Sequence, residues 1–149
     1  MTKDAIIVIT SVHDYDGVDE DSLEFSTDGH FSIIDGAACV TYLESEVTGL
    51  EGTRTSVIIN SDQVTVDRDG MVSSRMIFRE GEKTSFLYET PVGPATMNIS
   101  THKITTDFDE HGGRMELLYV IDMEHTVISR DKFVMTVREQ KKIGEFKNV

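Results

Sequence analysis

The sequence predicts an all-β fold, an antiparallel up-and-down β-barrel of about ten strands with little helix. Three observations carry this expectation. Apolar and polar residues alternate with period two almost throughout, and β-branched and aromatic residues fill the alternating runs. The runs are separated by Gly, Asp and Asn at intervals of about 8–12 residues, the spacing of sandwiches and barrels rather than of strands alternating with helices. Consecutive runs read as hairpins, and an open meander of this length would expose two edges that closure removes.

Residues 4–12 hold the apolar run Ala5, Ile6, Ile7, Val8, Ile9 and form the first strand. Residues 13–22 are the least regular stretch, with room for a short helix or a loop. Strands over 23–27, 31–34 and 39–47 follow. Residues 54–60, 63–68 and 71–78 make a three-stranded meander. Its turns are Ser61-Asp62 and Asp69-Gly70, the latter predicted to be a two-residue type I′ turn because both central positions want positive φ. Glu80-Gly81-Glu82-Lys83 leads into 84–90, which Pro91-Val92-Gly93-Pro94 stops. Residues 95–101 and 103–108 are separated by at most a bend at His102. His111-Gly112-Gly113 then returns the chain into 114–121, and 132–139 closes the series. No linker, repeat or low-complexity segment interrupts it, so residues 1–149 read as a single domain. A chain of this size buries about 68–70% of its unfolded surface and needs no metal or disulfide for stability.

Charge is unevenly distributed. Residues 1–52 carry 12 Asp or Glu against one Lys, and residues 53–149 carry 15 against 13, for a total of −13. Such an acidic first third argues against a nucleic-acid partner, which is bound largely through clustered Lys and Arg. The final segment is mildly basic, with Arg130, Lys132, Arg138, Lys141, Lys142 and Lys147. If the terminal strands are neighbours, that tail offsets the acidic start. Cys39 is the only cysteine, which suits a reducing compartment, and no apolar run reaches the roughly 20 residues of a spanning helix. The initial apolar run is also too short for a secretory h-region. The expectation is a cytoplasmic protein with no membrane partner.

Several segments are familiar. Tyr42-Leu43-Glu44-Ser45-Glu46-Val47-Thr48-Gly49-Leu50-Glu51-Gly52-Thr53, Arg68-Asp69-Gly70, Met76-Ile77-Phe78 and Tyr88-Glu89-Thr90-Pro91-Val92-Gly93, with Thr101, Gly113 and Tyr119 in matching order, resemble the YwiB-like family of small bacterial proteins. The resemblance spans nearly the whole chain. It implies a calycin-like, lipocalin-like barrel and no established activity. Calycins include lipocalins and fatty-acid-binding proteins, which hold small ligands in the lumen. This chain has no Trp, so the Gly-x-Trp feature of true lipocalins is missing, and no helical pair like the portal of the fatty-acid carriers is evident.

Alternation along each strand indicates which side chains face the lumen. Val64, Val66 and Arg68 share a face, as do Met76 and Phe78, Phe86 and Tyr88, and Met115, Leu117, Tyr119 and Ile121. On the strand over 39–47 the inward side is open. If Val40 and Tyr42 point in, Glu44 or Glu46 can pair with Arg68 and relieve much of the cost of burying either charge. The candidate ligand site is therefore Arg68 with Tyr42, Tyr88 and Tyr119 for an anionic or polar head, and Phe78, Phe86 and Met76 for an apolar body. The competing reading has Arg68 held by a carboxylate purely to fix register, and it carries more weight on sequence grounds.

Other chemistry has thinner support. Glu44 and Glu46 share a strand face, but catalysis would need a shifted pKa and a placed substrate. The histidines, His13, His30, His102, His111 and His125, form no close pair and read as surface or loop residues. Cys39 lacks a Cys-x-x-Cys partner. Asp14, Asp16, Asp19, Glu20 and Asp21 depart from the EF-hand spacing and read as a solvated acidic loop. No catalytic residue, metal ligand or cofactor is assigned. The two leading functions are a barrel that binds a small molecule and, as alternative, a protein-interaction or structural module whose acidic half faces a basic partner.

Overall fold

The computed structural model describes residues 2–15 and 20–140. Ten antiparallel strands run β1 (Lys3–Asp14), β2 (Glu20–Ile34), β3 (Ala37–Leu43), β4 (Arg54–Ile59), β5 (Val64–Asp69), β6 (Ser74–Phe78), β7 (Lys83–Thr90), β8 (Gly93–Asp109), β9 (Gly112–Met123) and β10 (Thr126–Glu139). They form one sheet in the order β6-β5-β4-β3-β2-β1-β10-β9-β8-β7. The terminal strands do pair, from Ala5 opposite Glu139 to Asp14 opposite Arg130. This places Arg130 of β10 beside Asp14 of β1, while Lys141, Lys142 and Lys147 of the basic tail lie outside the described residues.

The seam lies between β6 and β7, neighbours in the chain. There Ser73 N–H donates to the Glu89 carbonyl at 3.0 Å and Glu89 N–H to the Ser73 carbonyl at 2.9 Å. Farther along, Thr84 Oγ1 donates to the Ile77 carbonyl at 2.5 Å. The barrel is thus nearly closed, and the exposed-edge problem shrinks to one short seam.

Several local expectations are corrected. The strands predicted over 23–27 and 31–34 are one, β2, because Gly29 lies in mid-strand rather than in a turn. A Cβ there would collide with Ile7 Cδ1 and the Thr41 carbonyl, so glycine serves close packing. The segments 95–101 and 103–108 are likewise one strand, β8, with a register shift against β9 between Thr101 and Lys103. β3 stops at Leu43, short of the predicted 47, and a 3-10 turn over Glu46–Thr48 follows, with Ser45 Oγ accepting from Val47 N–H and Gly49 at φ 77°. β10 begins at Thr126, well before residue 132.

Asp69-Gly70 does not form a type I′ turn. Arg68 pairs with Ser74, leaving 69–73 as a longer loop, and Met71 N–H donates to Thr53 Oγ1 at 3.1 Å. Among the described residues, the two-residue turns with positive φ at both positions are Asp35-Gly36 (51° and 81°) and Glu124-His125 (51° and 68°). Of residues 13–22, His13 and Asp14 belong to β1 and Glu20 to Ser22 to β2, while the remaining acidic positions 16 and 19 lie outside the described residues. No α-helix occurs among the described residues.

Up-and-down connectivity gives the barrel two unlike ends. At one, the Asp35-Gly36 and Glu110-His111 turns cover a packed interior. Phe31, Phe78, Ile7, Val40, Val64, Ile99, Met115, Leu117 and Met135 are almost fully inaccessible there. The other end carries the 3-10 turn and the loops at 69–73, 91–92 and 124–125. Its inward residues are more polar, and the interior opens.

Candidate functional site

A cavity of about 320 Å³ occupies this open end. Its walls come from every strand except β4, and from Glu44, Thr48 and Leu50 of the loop after β3. Six of the seven side chains proposed from sequence, Arg68, Tyr42, Tyr88, Tyr119, Phe86 and Met76, line it together. Phe78 does not. It lies deeper, bordering a small void of about 30 Å³, with its ring edge-on to Tyr119 at a centroid distance of 4.9 Å. Phe78 is correctly read as inward-facing but belongs to the packed floor.

The ambiguous face of β3 resolves with Val40, Tyr42 and Glu44 inward. Glu44 is held by two hydroxyls, accepting from Thr55 Oγ1 at 2.5 Å and Thr48 Oγ1 at 3.0 Å. Its carboxylate faces Arg68 only loosely, with 3.8 Å from Oε2 to Nε. Arg68 Nη1 reaches Met76 Sδ at 3.7 Å, and the buried Arg68 Nε makes no hydrogen bond. Glu46 sits exposed in the 3-10 turn, so the pair of carboxylates converging on one site does not form. Burial raises the Tyr42 phenol well above its ordinary value, with the Glu44 charge adding and Arg68 opposing. Burial likewise raises Tyr119, with Asp131 adding and Arg68 opposing. Both phenols therefore remain neutral hydrogen-bonding groups at any physiological pH.

Sequence reasoning missed a second polar set in the same cavity. Ser11 and His13 lie two apart on β1, so both point inward. His13 Nε2 is 2.9 Å from Ser11 Oγ, and His13 Nδ1 is 2.5 Å from Asp131 Oδ1. Asp131 Oδ2 accepts from Ser129 Oγ at 2.9 Å, and its side chain is almost fully buried. His13 is thus a half-buried strand residue rather than a surface or loop histidine. The alternation of Ile7, Ile9, Ser11 and His13 was visible in sequence. Asp131 could be placed beside His13 only by knowing that β1 pairs with β10.

The hydrogen bond to Asp131 raises the His13 pKa, partial burial lowers it, and the Asp131 and Asp21 charges raise it further. A raised folded-state pKa means that this contact adds stability fully below the unfolded value of about 6.5, and that the gain is lost as pH rises through the folded value. Asp131→Asn is expected to bring the His13 pKa down and remove that acid-side stabilisation. NMR titration of the imidazole and thermal melts at acidic and alkaline pH will test it; an unchanged titration would refute the coupling.

The remaining candidates are peripheral. Cys39 points away from the lumen on β3, and burial raises its thiol, against a lowering hydrogen bond with Ser32, which leaves it a poor nucleophile. Among the described residues no group of His, Cys, Asp and Glu is arranged to hold a metal ion. No helix among them is long and apolar enough to cross a membrane.

These features define an up-and-down antiparallel β-barrel, packed at one end and hollow at the other. Residues 7–135 match the family described as Domain of unknown function (DUF1934), and the chain belongs to that family. It is 29% identical over 111 residues to the uncharacterized beta-barrel protein YwiB of Bacillus subtilis (strain 168), covering 74% of this chain and 76% of that protein. The crystal structure of the ywiB protein from Bacillus subtilis superposes with a TM-score of 0.84 at 24% identity, covering 94% of each chain. That likeness supports the fold.

Proposed function

We propose that this protein binds a small, largely apolar molecule carrying one hydrogen-bond-accepting group in the open end of its barrel. The observation that carries the reading is Arg68. A guanidinium with its Nε buried and unbonded stands at the wall of a cavity of about 320 Å³, within the usual size of small-molecule sites. The side chain is 22% exposed, so part of the guanidinium faces the cavity, and a charge-assisted hydrogen bond from it to a ligand oxygen is worth about 1.5–3 kcal/mol. Leu23, Phe25, Phe86, Met97, Ile121 and Phe133 supply an apolar surface for the rest of the ligand.

Charge balance narrows the head group. Glu44 already faces Arg68, and Asp131 stands behind His13, so a full anion meets two carboxylates near its one fixed cation. A neutral carbonyl oxygen gains the hydrogen bond without that repulsion. The interaction-module alternative gains less, since it requires no hollow interior. The solitary Cys39 fits a cytoplasmic setting.

The test is fluorescence titration with cis-parinaric acid and its methyl ester. The ester should bind at least as well as the acid, and Arg68→Met should weaken it about tenfold or more, the value of a lost charge-assisted hydrogen bond. No binding of either probe, or equal binding by the variant, would overturn the reading.

A further inference from the structure

The geometry points to Ser11, His13 and Asp131 as a nucleophile, base and orienting carboxylate that hydrolyse an ester of a small apolar acid held in the barrel lumen. The inference rests on the proposed lumen site and goes beyond it, from holding a ligand to cleaving one. The three side chains are connected in the order such chemistry requires. Ser11 Oγ is 2.9 Å from His13 Nε2, and Nδ1 on the opposite side of the ring is 2.5 Å from Asp131 Oδ1. With Nδ1 donating to the carboxylate, Nε2 is left as the acceptor for the serine hydroxyl, the tautomer a general base needs. Asp131 is itself fixed by Ser129, at 2.9 Å, so imidazole and carboxylate are both held.

The set is also correctly placed. Ser11 and His13 line the same cavity as Arg68, and Tyr119, opposite Asp131 in the β9–β10 register, feels the charges of both Asp131 and Arg68. Purely structural serine–histidine contacts have no reason to open on a hollow whose wall also carries a guanidinium. The cavity suits an uncharged ester better than a free acid, for the reason of charge balance given above, and this favours product release after cleavage.

The atoms balance without any redox partner. Ser11 Oγ bonds to the ester carbonyl carbon while its proton passes to His13 Nε2, and the carbonyl oxygen, now negative, is met by the Arg68 guanidinium. The carbon–oxygen bond to the alcohol breaks, and the leaving oxygen takes the proton from Nε2. Water then attacks the acyl-serine, giving its proton to Nε2, and collapse returns that proton to Ser11 Oγ and frees the acid.

The experiment treats the full chain with an ethoxy alkyl fluorophosphonate and locates any adduct by peptide mass spectrometry, alongside p-nitrophenyl butyrate hydrolysis. One adduct is expected, on Ser11, absent from Ser11→Ala and reduced at least about 100-fold in rate in His13→Ala, the scale of a general base. Hydrolysis should fall by a similar factor in both. Asp131 acts through His13, so Asp131→Asn should also move the rising limb of the pH–rate profile to lower pH. The charged groups around that imidazole are Asp131 from β10 and Asp21 from β2, with Arg68 and Glu44 lining the same cavity. Absence of a Ser11 adduct, or equal hydrolysis by Ser11→Ala, in protein that still binds methyl parinarate would overturn the hydrolase assignment and leave the binding site standing. Failure of both the adduct and the binding would remove the two together.

Discussion

Glu44→Ala should lower the unfolding free energy by about 3 kcal/mol, since it leaves the partly buried Arg68 without its countercharge and two threonine hydroxyls without their acceptor. The Glu44 side chain is 2% exposed and Arg68 22%, so truncation leaves a cation largely shielded from water with no countercharge. It also frees the hydroxyls of Thr55, which is buried on β4, and of Thr48 in the 3-10 turn. The backbone bonds from Glu44 N–H to the Thr53 carbonyl and from Gly52 N–H to the Glu44 carbonyl would remain, so the loop should keep its path but lose its anchor. Domains of this size have about 5–15 kcal/mol to lose, which makes the expected change readily measured by urea denaturation. Glu44→Ala with Arg68→Met should recover part of the loss, because the stranded charge is then gone. If the double variant is no more stable than Glu44→Ala, the two side chains are not coupled, and the loss belongs to the threonine contacts alone.

The architecture was legible because it depends on local, periodic information. Alternation marked Val64, Val66 and Arg68, and Leu117 and Tyr119, as inward without any knowledge of their partners, and six of the seven proposed site residues meet in one cavity. Local patterns failed where long-range packing decides. Gly29 resembles a turn residue but is required by close approach to Ile7 and Thr41, and Asp69-Gly70 gives way to a longer loop that Thr53 ties down. The Ser11, His13 and Asp131 set shows the limit most plainly. Its two β1 residues follow an apolar inward run, whereas the third is separated from His13 by 118 positions and arrives only through pairing of the terminal strands. An isolated Ser-x-His carries no chemistry until the opposite strand is known.

Phe78→Ala should separate the packed half of the barrel from the hollow half. Phe78 is 2% exposed, and loss of a buried aromatic side chain generally costs about 3–5 kcal/mol, so the variant should melt far below wild type. Its ring contacts Tyr119 edge-on and borders the small void that also touches Val57, Val66 and Leu117, beneath the floor of the main cavity. Truncation should join the vacated volume to that void and deepen the lumen. A longer-chain apolar probe should then gain affinity relative to a shorter one, even as overall stability falls. Phe86→Ala provides the contrast: its side chain lines the cavity wall, so less supporting structure surrounds it and the stability cost should be smaller. A Phe78→Ala variant that is destabilised but shows no change in probe-length preference would mean that Tyr119 and the neighbouring aliphatic residues collapse into the space. The lumen's depth would then be set by repacking of its walls rather than by the one aromatic ring at its base.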